Sequence, residues 1–155
     1  MTELRAVTRS EEETAEAAER LASTLLAGDV VILSGSLGSG KTAFVRGLAR
    51  GLGIDPRAVH SPTFTIVTEY GAGRSGLRLV HVDLYRIDRA EEVVELGLSD
   101  YQSQGCILAV EWGERLPERL RTGAIHVTLE DAGGEERRLT IDSDGATSPH
   151  SSPSQ

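Results

Sequence analysis

At 155 residues, with 39% apolar and 26% charged side chains, the chain has room for one domain with a real core and little room for two. Sixteen basic against 24 acidic residues give a formal charge of −8, which makes the surface a poor candidate for direct, nonspecific nucleic-acid binding but does not exclude action on RNA through a protein partner. Its one cysteine, Cys106, excludes an intramolecular disulfide and a cysteine zinc site.

Residues 1–9 read as a lead-in, with a strand as one option. Ser10 and Glu13 have capping-box spacing, and Glu11 to Glu13 set negative charge at a helix start. Ala18, Leu21, Ala22 and Leu25 continue the helical period, and Gly28 is the expected stop. Val30 to Leu33 is wholly apolar, as a strand buried on both faces must be. After a glycine-rich loop, Phe44, Val45, Leu48, Ala49 and Leu52 form one face of a second helix that Gly53 ends. Gly47 and Gly51 inside it each cost about 1 kcal/mol against alanine, so close packing against a neighbour is expected there.

Ser61-Pro62 is extended, because the residue before proline avoids the helical region. Strands follow at 65–70 and 77–83 around the turn 71–76, then a helix from Arg89 to Leu98, with Val93, Val94 and Leu98 on its apolar face. Cys106 to Val110 is a second all-apolar strand, in which Cys106 acts as a small buried hydrophobe. Segments 123–130 and 135–142 make a hairpin around Asp131-Ala132-Gly133-Gly134. From Ser143 the composition turns to Ser, Pro and Gly, and residues 143–155 are expected to be a disordered tail. The order implies an α/β fold: a single P-loop NTPase domain over residues 1–142, with a mixed, largely parallel sheet flanked by helices and a C-terminal hairpin. With no basic-then-apolar leader and no apolar run of membrane length, the expected location is the cytoplasm.

The chemistry is concentrated in Gly35-Ser36-Leu37-Gly38-Ser39-Gly40-Lys41-Thr42, which meets G-x-x-x-x-G-K-[ST] at every fixed position. Glycines let successive backbone N–H groups converge on phosphate oxygens, and the following helix turns its positive end to the same anion. Lys41 is then the group that reaches the β- and γ-phosphates, and the Thr42 hydroxyl ligates magnesium. Lys41 is also the only lysine among the sixteen basic residues, as expected where a slim ammonium is required rather than a guanidinium fork.

Two apolar runs end in a carboxylate: Leu79-Val80-His81-Val82-Asp83 and Ile107-Leu108-Ala109-Val110-Glu111. Ligands of parallel α/β sheets bind beyond the carboxyl ends of strands, so both acids are candidates for the same site. Thr63 and Thr65 read either as sensors of a γ-phosphate or as ordinary strand formers. Arg86 reads as a partner of Asp83 or phosphate, or as half of a surface ion pair. His81 and Trp112 read first as packing residues, and His60 has no evident partner.

Together, Ser34–Thr42, Ser61-Pro62-Thr63-Phe64-Thr65, His81-Val82-Asp83-Leu84-Tyr85-Arg86 and Glu111-Trp112, in that order, resemble the bacterial ATPase of tRNA threonylcarbamoyladenosine biosynthesis, the TsaE type, over about residues 5 to 142. The resemblance implies ATP in the Gly35–Thr42 loop, with Thr42 and Glu111 as magnesium ligands and Asp83 needed for hydrolysis. It implies a nucleotide-sensitive switch at Ser61–Thr65, Trp112 beside the nucleotide and supporting Glu111, and the segment around Ser10 and Glu11 near the adenine. It also implies weak hydrolysis by the chain alone and two paralogous partner subunits, one of which transfers threonylcarbamoyl to an adenosine of tRNAs that read codons beginning with A. ATP turnover would reset that complex, with tRNA engaged only indirectly and no membrane involved. Gly113 departs from the proline that many members carry after Glu-Trp.

Two other readings share the loop. A small-molecule kinase would need an acceptor site and an arginine-bearing lid, for which Arg115, Arg119 and Arg121 are candidates, although Pro117 leaves the stretch short. A module that binds nucleotide without hydrolysis would have less use for both Asp83 and Glu111.

Overall fold

The computed structural model describes residues 3–36, 38–59 and 66–143. In chain order its elements are β1 (Glu3–Thr8), α1 (Glu11–Ala22), β2 (Val30–Ser34), α2 (Lys41–Gly51), β3 (Val67–Tyr70), β4 (Leu79–Asp83), α3 (Ala90–Glu95), α4 (Leu98–Ser103), β5 (Ile107–Glu111), α5 (Glu118–Arg121), β6 (Ile125–Gly133) and β7 (Glu136–Asp142). Single 3₁₀ turns lie at Pro56–Ala58 and Gly113–Arg115.

An apolar strand must be covered on both faces, and β2 accordingly takes the centre of a seven-stranded sheet ordered β1-β7-β6-β2-β5-β4-β3. β6, β2, β5 and β4 run parallel. The remaining pairings, β3 with β4, β6 with β7 and β7 with β1, are antiparallel. The sheet is therefore mixed, but parallel only across its centre. At β3–β4 and β6–β7 the cause is local: a short turn lays the chain back beside the strand it has just left.

Side chains alternate between the two faces of the sheet. Val31 and Leu33 of β2, with Ile107, Ala109 and Leu79, pack beneath Ala18, Phe44, Val45 and Leu48 of α1 and α2. Val30, Ile32, Val80, Val82, Leu108 and Val110 pack on the other face with Val93, Leu98 and Leu120 of α3, α4 and α5. Cys106, 1% exposed, belongs to this second cluster. Among the described residues no helix is long and apolar enough to cross a membrane.

Two helices differ from their sequence pattern. Ser10 Oγ caps α1 by accepting from Glu13 N at 3.1 Å, and the Glu13 carboxylate accepts from the N–H of Arg9, one residue earlier than in a standard capping box. The helix expected to run to Gly28 ends at Ala22, where the Ser23 and Thr24 hydroxyls donate to the carbonyls of Arg20 and Leu21 and take over the last turn. Leu25 still reaches the core, from a loop. The helix expected over Arg89–Leu98 stops at Glu95; Gly97 turns left-handed at φ +73°, and a separate helix, α4, begins at Leu98. Val94, assigned to the apolar face, is 66% exposed as a result.

The glycines of α2 have the expected reason. A Cβ on Gly47 would stand 2.1 Å from the Ala15 carbonyl oxygen, and one on Gly51 2.6 Å from the Ala22 Cβ, so α1 and α2 touch backbone to backbone. Gly47→Ala gains about 1 kcal/mol of helix propensity but forces the two helices apart. A net loss of about 1–3 kcal/mol in urea unfolding is expected; a stabilised variant would disprove the contact.

Candidate functional site

Parallel strands in register carry their same-face residues to one edge. Glu111 lies opposite both Leu33 and Asp83 in the ladders of β5, so the two carboxylates emerge side by side on the α1–α2 face, next to the strand that feeds the glycine loop. A cleft of about 1360 Å³ opens there. Of the residues singled out from sequence, Gly35, Ser36, Gly38, Gly40, Lys41, Thr42, Asp83, Glu111 and Trp112 line it, as do Ser10 and Glu11 at the start of α1. Ser39, 1% exposed, sits beneath the loop, and its buried hydroxyl makes no hydrogen bond among the described residues. Leu37, His60 and the segment Ser61–Thr65, including Thr63 and Thr65, lie outside the described residues.

The loop turns into α2 at Gly40, whose φ of +106° a side chain would strain. A helix leaves its first N–H groups without intrahelical partners. Among the described residues no side chain caps α2, its first turn holds no acid, and residues 41–43 line the cleft. This is the electrostatic setting of an anion site.

Lys41 Nζ donates to the Gly35 carbonyl at 2.8 Å and stands 3.3 Å from Glu111 Oε1. On the other side of the carboxylate, His81 Nε2 lies 2.8 Å from Glu111 Oε2. His81 is 2% and Glu111 7% exposed. Burial works against the Glu111 charge, but the His81 hydrogen bond and the attraction of His81 and Lys41 outweigh it and hold the carboxyl below its ordinary range. Asp83 is half-buried and accepts from Tyr85 N at 3.0 Å, which fixes the turn after β4.

His81 is therefore not a packing residue alone. Its signal in the sequence was its position two residues before Asp83 on the same strand face. Trp112 is not a core residue either: it is 38% exposed, adopts a left-handed φ of 62°, and meets Tyr85 at a ring-centroid distance of 5.2 Å. Arg115 lies 5.2 Å from the Trp112 ring centroid and donates to the carbonyls of Leu84, Tyr85 and Ile87. Arg119 donates to Ser99 Oγ and Arg121 to the Leu116 carbonyl. All three arginines assigned to a possible lid thus brace local backbone and helices, and none of them lines the cleft.

Arg137 is the residue that sequence reasoning missed altogether. From β7 it reaches across 99 positions to donate to the Gly38 carbonyl at 3.0 Å, while also bonding the Gly134 and Glu136 carbonyls of its own hairpin. Nothing local to Arg137 signals a contact so distant in sequence.

Because the Glu111 carboxyl has a lowered pKa in the folded chain, its ionisation adds stability that is complete above the ordinary carboxylate range. That stability is lost as pH falls through the lowered folded value. The stability gap between wild type and Glu111→Gln in urea is therefore expected to shrink as pH drops through and below the usual carboxylate range. A gap that stays constant into acid would mean that the charge is not what Lys41 and His81 hold.

Comparison with known proteins extends these observations. Residues 8–139 match the family described as threonylcarbamoyl adenosine biosynthesis protein TsaE. The tRNA threonylcarbamoyladenosine biosynthesis protein TsaE of Bacillus subtilis is 40% identical over 141 residues, covering 91% of this chain and 86% of that protein. Its counterpart in Streptomyces coelicolor is 41% identical over 131 residues, covering 81% of this chain and 87% of that protein. The crystal structure of Bacillus subtilis YdiB superposes with a TM-score of 0.71 at 33% identity, over 94% of this chain and 88% of that one. With the match running from the end of β1 into β7, the chain belongs to the TsaE family of threonylcarbamoyl adenosine biosynthesis proteins.

Proposed function

We propose that the chain is a cytoplasmic, magnesium-dependent P-loop ATPase that serves as an accessory subunit in bacterial tRNA threonylcarbamoyladenosine biosynthesis. The observation that carries the reading is one cleft holding the glycine loop, the start of α2 and two in-register carboxylates, Asp83 and Glu111. The names of the relatives supply the tRNA modification. The charge of −8 suits a subunit that faces proteins, here two paralogous subunits of a threonylcarbamoyl transferase complex, better than one that grips tRNA.

In this reading the unpartnered N–H groups at the start of α2 and the loop cradle the phosphates of ATP. Lys41 leaves Glu111 and turns its ammonium to the β- and γ-phosphates. Arg137 holds the loop through Gly38. Thr42 and Glu111 hold magnesium, and the residues fit it: they are hard oxygen donors, and magnesium is commonly bound by one or two carboxylates plus substrate phosphates. Among the described residues no group of three or more His, Cys, Asp or Glu is placed to cage a metal without such phosphates. Bound there, the ion neutralises charge on the transferred phosphoryl group. Asp83, beside Glu111 at the strand end, accepts a hydrogen bond from the attacking water and orients it. Hydrolysis then resets the partner complex. Arg115, Arg119 and Arg121 bond to nearby backbone or to Ser99 and do not line the cleft, which supports hydrolysis over a kinase with an arginine lid.

Lys41 makes a direct test possible. Apart from the α-amine, a lysine-directed reagent has one target, and ATP with magnesium is expected to protect it; modification of Lys41 that leaves ATP binding intact would overturn the loop assignment. Asp83→Asn is expected to lower phosphate release by about 10²–10⁴-fold, measured alone and with the partner subunits. Release that appears only with a sugar or nucleoside acceptor would point to a kinase. Cells depleted of the protein are expected to lose threonylcarbamoyladenosine from their tRNA, and unchanged tRNA would refute the biological role.

A further inference from the structure

The Glu111 carboxylate is divided between two partners on opposite sides. Oε2 faces His81 Nε2 at 2.8 Å, within the protein, and Oε1 faces Lys41 Nζ at 3.3 Å, beside the cleft. His81 pairs with Ala109 in the β4–β5 ladder. The small side chain of Ala109 lets the imidazole lean across it to the next residue on the same face of β5, which is Glu111, a diagonal contact within reach of a long side chain. An ionised carboxylate only accepts, so the ring donates from Nε2.

We propose that His81 is a positioning residue that makes Glu111 a one-oxygen metal ligand and so favours magnesium over calcium in the site. The proposal rests on the assignment of Glu111 as a magnesium ligand. A grip by both oxygens would have to share Oε2 between the ion and the His81 N–H, at the expense of that hydrogen bond, and a buried N–H that loses its acceptor is penalised by the protein interior. Once Lys41 moves to phosphate, Oε1 is left without a protein partner while Oε2 keeps His81. Magnesium demands a tight octahedron and is satisfied by one carboxylate oxygen, whereas calcium takes more ligands at longer distance and readily uses both. His81 thus acts on the ion through Glu111, from beneath, without touching it.

The test is calorimetric titration of the full chain with a non-hydrolysable ATP analogue in excess magnesium, in excess calcium and in chelator. Wild type is expected to bind the magnesium form tighter than the calcium and metal-free forms. His81→Gln keeps an N–H donor of similar reach and should retain that order. His81→Leu and His81→Met, two donor-free variants that pack differently, should lose about 10–100-fold of the magnesium advantage and much less with calcium, at unchanged affinity for the metal-free analogue. Donor-free variants that keep the wild-type order, or that lose magnesium and calcium affinity equally, would overturn the positioning role alone. Wild type that binds the analogue without any gain from magnesium would overturn the metal assignment of Glu111. Wild type that fails to bind the analogue would overturn the nucleotide reading, and the proposal with it.

Discussion

All five residues of β5 are buried, and the last of them is a carboxylate. A charge in that position persists only if it is paired and hydrogen-bonded. Its two partners come from separate elements, His81 from the neighbouring strand and Lys41 from the first turn of α2, so β4, β5 and α2 are held to a single mutual arrangement. Register is part of the same constraint. A slip of one residue would turn Glu111 to the opposite face, into the apolar cluster that now holds Val110. Asp83 would lose its in-register neighbour, and Lys41 would lose its carboxylate partner.

The remainder of the site is built by elements that approach this arrangement from outside. α1 is brought close by the backbone contact at Gly47 and Gly51, which carries Ser10 and Glu11 to the rim of the cleft. Arg50 pairs with Glu12 and Glu19 across the same helices, but Arg50 is about a third exposed and both acids are more so, and each such solvent-accessible pair adds only about 0–1 kcal/mol. Packing, not charge, sets the distance between α1 and α2. On the far side, Arg137 ties the C-terminal hairpin to the loop, and Arg115 fixes the backbone between Leu84 and Ile87. These arginines bond carbonyls, groups that offer a guanidinium fork several acceptors at once.

Trp112 shows how backbone and site are joined. A left-handed conformation in a residue with a side chain costs of order 1–3 kcal/mol and persists only where its surroundings demand it. Here the demand is local: the chain must leave β5 immediately after Glu111, and Trp112 carries the bend at φ 62° while laying its ring against Tyr85 and Arg115. The following residue is tightly placed as well, since a Cβ on Gly113 would stand 2.5 Å from Ile32 Cγ2.

Much of this was legible in the order of residues. The α/β class, the central position of β2, the loop that ends in Lys41 and Thr42, and the acids at two strand ends all follow from local pattern: apolar runs of strand length, glycine spacing, and carboxylates where such runs stop. Helix ends were less legible, because hydroxyls at Ser23 and Thr24 and the left-handed turn at Gly97 overrule a period that continues past them. What only the tertiary structure decided is which of these residues meet. The in-register pairing of Asp83 with Glu111, the grip of His81 on that carboxylate, and the reach of Arg137 to Gly38 depend on strand order and on which sheet face each residue takes. The reason is physical: side-chain chemistry and short-range periodicity are properties of the chain, but the pairing of buried charges is a property of the distances that packing imposes between segments far apart along it.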